Sequence, residues 1–161
     1  MAERAGRGER KALRPVAHTL IDSVHAPMAQ VFAFLTSPGH MPDWWPDCTG
    51  VEYEAPLKRG ARFTAKFGGR ATEFEVVDYA PPATFGWAER GERTGWKTLF
   101  RLDGRGGSTA LTIREVWMPR SVIGWLRGHF REKRAGQRRL SGVLDRLRTM
   151  EVGCKPPERN L

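Results

Sequence analysis

Two cysteines in 161 residues are too few for a disulfide framework. Cys48 and Cys154 lie far apart, and neither stands at metal-ligand spacing from a histidine, so reduced thiols in a cytoplasm are the expected state. No apolar run reaches the roughly eighteen residues of a membrane-spanning helix, and the N-terminus lacks the hydrophobic stretch of a signal peptide. Membrane-spanning and conventionally secreted forms are therefore not expected. His18, His25 and His40 make no recognisable metal set and no triad with any serine or aspartate, so neither a metal nor a cofactor is expected. The glycine-rich Gly104-Arg105-Gly106-Gly107 is followed by no helix, which makes it a hairpin turn and excludes a phosphate loop.

Proline is also missing from a long stretch. After Pro119, a residue suited to the first turn of a helix, none appears until Pro156. Val122, Leu126, Phe130, Leu140, Leu144 and Leu147 recur there at helical spacing, widened by Ile123, Val143 and Met150, and predict one long amphipathic helix over Pro119–Val152. Its length, roughly 43 Å at 1.5 Å per residue, is enough to cross a whole sheet. Projecting the stripe through the middle puts Lys133, Gly136 and Gln137 on the inward face, where a close-packed core would want leucine or isoleucine. Either the helix bulges away there, or it roofs something other than solid core.

What is plentiful is positive charge, +9 in all. The first fifteen residues hold five cations against Glu3 and Glu9, net +3, and residues 120–148 hold nine against Glu132 and Asp145, net +7. The remainder is slightly acidic. Such a field suits an anionic membrane or nucleic acid, although a solvated helix face and a disordered arm account for it equally.

Residues 1–15 are polar, glycine-interrupted and aperiodic, and are expected to be a disordered basic arm; 153–161 form a tail, leaving one domain over 16–152. Val16–His25 alternates like a strand, with neither side clearly inward. Pro27 opens a short helix, Met28–Leu35, and a second helical turn over His40–Trp45 ends at Pro46. Six β-type runs follow, Val51–Glu54, Ala61–Phe67, Thr72–Tyr79, Thr84–Glu89, Trp96–Leu102 and Thr109–Trp117. The connections are short enough to demand antiparallel neighbours. Strand, two short helices, six antiparallel strands and one long helix predict an α+β fold, a curved seven-stranded antiparallel sheet wrapped around the C-terminal helix. A closed lipocalin-like barrel would not need the two early helices.

Four stretches carry a resemblance. They are Val24-His-Ala-Pro-Met-Ala-Gln-Val-Phe-Ala-Phe-Leu, Met41-Pro-Asp-Trp-Trp-Pro, Gly95-Trp96 and Gly107-Ser-Thr-Ala-Leu-Thr-Ile-Arg-Glu. With the element order, they resemble the helix-grip superfamily of START lipid-transfer domains, birch-pollen-allergen-like proteins and bacterial polyketide cyclase/dehydrases, the last branch most of all. That resemblance covers Val16–Val152 and implies a hydrophobic cavity between sheet and helix. It implies no universal catalytic residue.

By alternation, Phe63, Phe67, Phe74, Trp87, Trp96, Phe100 and Trp117 face the helix, where they either fill the space or line a cavity. Glu89 and Glu115 fall in phase with them. A buried carboxylate needs a partner or stays protonated, so Glu115, in mid-strand, is read as a structural ion pair or as the candidate general acid/base. Glu89, at a strand end, is read as a rim residue or a ligand contact. One of Trp44 and Trp45 should cap the core while the other borders the cavity mouth. His129 neighbours the inner stripe, and Lys133 and Gln137 complete the candidate ligand-binding set with Trp45.

Three functions fit. The first is a binding protein for a small hydrophobic ligand, whether aromatic, polyketide or lipid-like. The second is a cyclase/dehydrase-type enzyme using the same cavity and Glu115. The third is a basic surface that docks on an anionic membrane, with nucleic acid the less favoured partner. A monomer or weak homodimer is expected.

Overall fold

The computed structural model describes residues 15–91, 95–118, 138 and 141–149. The elements run β1 (Val16–Val24), α1 (Met28–Leu35), a 3-10 turn (Pro38–His40), α2 (Met41–Trp44), then β2 (Cys48–Tyr53), β3 (Arg62–Phe67), β4 (Arg70–Ala80), β5 (Thr84–Glu89), β6 (Lys97–Arg105) and β7 (Ser108–Trp117). A closing helix, α3, covers 141–149. The rest of the helix expected over Pro119–Val152 lies outside the described residues, as do the arm over 1–14 and the C-terminal tail.

All strands join one antiparallel sheet in the order β1-β7-β6-β5-β4-β3-β2. The meander follows from turn chemistry. Gly68-Gly69 and Gly106-Gly107 all adopt positive φ, between 51° and 90°, which permits two-residue hairpins whose twist matches the strands they join. Phe67 therefore faces Arg70 and Arg105 faces Ser108. These tight turns lengthen β4 and β6 relative to the sequence reading, because Arg70-Ala71 and Asp103–Arg105 continue strands where glycine chemistry suggested loop. The helix Met28–Leu35 has the bounds the sequence predicts, since Pro27 presets its start and Ser37-Pro38 stops it.

The concave face carries the core. On β1 the inward set is His18, Leu20, Asp22 and Val24, which settles the side that alternation alone left open. Val31, Phe32 and Leu35 of α1 pack down onto the sheet, with Phe32 edge-on to Tyr79 and Phe85. Thr109 Oγ1 donates to the Ala26 carbonyl at 2.7 Å, tying the start of that helical layer to β7. In α3, Val143, Leu144 and Leu147 are buried, as the apolar stripe predicts. Asp22 accepts from the Arg148 guanidinium at 2.6 Å through both oxygens and so pins α3 to β1.

Candidate functional site

Beyond the reach of α1 and α2, the concave face opens into a cavity of about 350 Å³. Its apolar wall is Trp45, Phe67, Phe74, Trp87 and Trp96. Strand alternation puts the sheet members there: Phe67, Phe74 and Trp87 come from three adjacent strands, and Trp96 opens the fourth. Trp45 comes from the other side, its ring centre 4.7 Å from Trp87, 4.9 Å from Phe67 and 5.3 Å from Phe74. The two neighbouring tryptophans thus divide the work. Trp44 is fully buried against Phe100 and Trp87 in the core, whereas Trp45 lies on the cavity wall.

The polar wall consists of Asp47, Arg70, Thr72, Glu89, Thr98 and Glu115. Glu115 is 3% exposed in the middle of β7, with His18 and Thr98 directly across from it on the flanking strands. Glu89, at the end of β5 opposite Phe74, is half-buried and faces the same space. Among the described residues, no group of three or more His, Cys, Asp or Glu is arranged to hold a metal ion. The nearby Cys48 is a free buried thiol whose pKa burial pushes up, so it stays protonated.

Of the residues singled out from sequence, Trp45, Phe67, Phe74, Trp87, Glu89, Trp96 and Glu115 meet around this one space. Three others do not border it. Phe63 stacks on Phe74 at 5.3 Å behind the wall, and Phe100 lies in the core against Trp44 and Phe85. Trp117 is stacked on Trp96 at 4.7 Å, with His18 on its flank. His129, Lys133 and Gln137 lie outside the described residues.

Sequence reasoning missed Pro46, Asp47, Arg70, Thr72 and Thr98. Arg70 and Thr72 were legible, because the alternation of β4 runs back through both to the glycine pair. Thr98 sits in phase between Trp96 and Phe100 and differed only in being small and polar. Asp47 carries no sequence signal: it is a non-glycine residue at φ 63°, held in the link between α2 and β2.

A sequence model of the family described as polyketide cyclase / dehydrase and lipid transport matches residues 19–150. No curated protein matches the chain. Among solved structures, a polyketide-cyclase-like protein from Corynebacterium glutamicum is 21% identical, with a TM-score of 0.58 over 92% of this chain and 99% of its own. The subunit of the Aha1 dimer from Colwellia psychrerythraea is 18% identical, with a TM-score of 0.62 over 87% of this chain and 99% of its own. DynU16, from the dynemicin biosynthetic locus, is 22% identical, with a TM-score of 0.62 over 85% of this chain and 48% of its own. At these identities the likeness shows a shared helix-grip fold.

Proposed function

Because this chain belongs to the polyketide cyclase / dehydrase and lipid transport family, we propose that its cavity binds a small, mostly apolar ligand of aromatic, polyketide or lipid-like character. The observation that carries this reading is the cavity itself, about 350 Å³ bounded by five aromatic side chains with polar groups set among them. Its volume falls within the range of small-molecule pockets, and its lining combines five rings and Pro46 with six polar side chains that can orient a ligand. Removing about 200 Å² of apolar ligand surface from water would contribute about 5 kcal/mol, and aromatic stacking adds to it. Thr98, Glu89 and Glu115 would then fix the orientation. Mass spectrometry of protein purified without denaturation tests the reading. A retained small molecule, released on unfolding, is the expected result; no retained molecule together with no displacement of a neutral apolar dye opposes it.

A second reading is favoured by one specific observation, the burial of Glu115 on the wall of an aromatic cavity. In an enzyme of the cyclase/dehydrase kind, the walls would fold a reactive chain so that its carbons approach, and Glu115 would take or give the proton. Glu115→Gln keeps the shape and removes the acid. Loss of turnover with retained ligand affinity supports catalysis by Glu115, and unchanged turnover removes it.

A further inference from the structure

The convex face of the sheet divides into two unlike halves. Over β3 and β4 its charges are paired: Arg62 and Arg90 both reach Glu73 and Glu75, and Lys66 pairs with Glu52 of β2. Over β7 and β6 only Arg101 is paired among the described residues. Three cross-strand rows run outward there to the sheet edge: Lys97, Val116, Ala17; Leu99, Arg114, Thr19; and Arg101, Thr112, Ile21. Arg101 has Asp103 at 3.3 Å, while Lys97 and Arg114 are exposed and make no ion pair among the described residues.

The rows end at β1, an edge strand. Its outward side chains Ala17, Thr19, Ile21 and Ser23 are all uncharged and exposed, and Ile21 is 69% exposed. The opposite edge, β2, is guarded by an irregular register between Cys48 and Gly50 and by the charge of Glu52. Strand β1 keeps a regular register and carries no charge on its outward side, its one carboxylate, Asp22, facing inward to Arg148.

The direction of its backbone groups follows from the hairpin. Arg105 and Ser108 flank a two-residue turn and exchange both hydrogen bonds, so odd-numbered residues of β6 bond to β7, and even-numbered residues of β7 bond back. The Leu102 amide accordingly donates to Ala83, on the other side. Odd-numbered β7 residues then serve β1 through its even-numbered residues. The amides of Ala17, Thr19, Ile21 and Ser23 therefore point away from the sheet. Ser23 confirms it, since its amide donates to Asp22 Oδ1 at 2.7 Å instead of to the ladder.

We infer that β1 is a docking edge for an extended acidic segment of a partner protein, which adds as an eighth strand and sets a carboxylate against Arg114. A strand added beside β1 lies two strand spacings, roughly 10 Å, from β7. An extended arginine and a glutamate together bridge that gap, and the small Ala17 and Thr19 leave the path clear. Main-chain bonds supply affinity in this mode, and side chains supply selection. A second copy of this chain fits less well, because it would bring another Arg114 towards the first and no added carboxylate on that face.

Amide hydrogen exchange on the full chain tests this with a short capped peptide of alternating valine and glutamate, and its valine–lysine counterpart. The glutamate peptide should slow exchange at Ala17, Thr19 and Ile21, the lysine peptide should not, and Arg114→Glu should weaken protection about tenfold. Ile21→Glu, which changes an already exposed side chain and sets a like charge against the peptide's carboxylates, should also abolish it while the rest of the exchange pattern stays native. Four results overturn the inference: no protection by either peptide, equal protection by both, protection without peptide that rises with protein concentration, or binding to phosphatidylserine vesicles that leaves these amides unprotected while the peptide does nothing.

Discussion

The two ends of the concave face are built from similar residues and do different things. At one end Trp44, Phe85, Phe100, Leu102, Leu111 and Ile113 interlock under α1, α2 and α3, each no more than 2% exposed. At the other, Trp45, Phe67, Phe74, Trp87 and Trp96 surround open space. Aromatic content does not separate them, and neither does strand phase. What separates them is what stands between the rings: at the packed end only Thr109, bonded to the Ala26 carbonyl, and the partly buried Asp22, bonded to Arg148, but Thr72, Thr98, Glu89 and Glu115 together around the open one. A close-packed interior has no use for four polar side chains in phase with its rings, whereas a ligand site does.

The largest way to break this comparison is truncation at each end. Phe100→Ala should cost about 3–5 kcal/mol of unfolding free energy, because a fully enclosed ring leaves a cavity behind it. Phe67→Ala, at a wall that already borders space, should cost less than about 2 kcal/mol and should instead weaken binding of an apolar dye. Urea denaturation read by tryptophan fluorescence measures the first, and dye titration the second. Equal stability losses would erase the distinction between the ends.

Enlargement should reverse the pattern. Leu111→Phe, at 0% exposure, should overpack the solid end and cost about 1–3 kcal/mol. Thr98→Leu should be neutral or slightly stabilising, since its added methyl groups enter the open end. Thermal melts of the two variants compare them directly.

The smallest effect is electrostatic and belongs to the packed end. The Ser23 amide, and after it the Arg148 guanidinium, hold the Asp22 carboxyl below its ordinary value of 3.8. A carboxylate depressed in the folded state contributes stability that is complete above its unfolded value and is lost as pH falls through the folded one. Acid titration of stability should therefore show a loss beginning near pH 4 and growing below it. Arg148→Ala should flatten part of that loss and cost less than about 1 kcal/mol at neutral pH, since Arg148 is half exposed.

Much of this was legible in the sequence, and the parts that were not share a cause. Element order, the antiparallel meander and the bounds of α1 follow from period and turn residues, which act locally, whereas the pairing of β1 with β7 is long-range and has no local signal. The inward row of aromatics follows from alternation, and with it most of the cavity wall. Three aromatics of that row, Phe63, Phe100 and Trp117, turned out to stand behind or beside the wall, because strand phase fixes a face and not a depth along it. Which of Trp44 and Trp45 met the cavity, and which side of β1 faced inward, depended on how α2 and β7 dock. Asp47 reached the site through a backbone conformation that composition does not encode.

The most direct test of the central claim is a titration of a neutral apolar dye, N-phenyl-1-naphthylamine, into the native chain and into Thr98→Phe, whose ring would occupy the open end. Binding to the native chain should be saturable, and it should be lost in the variant, which should melt no lower. Undiminished dye binding by the filled variant, or none by the native chain after any retained molecule has been stripped, would contradict it.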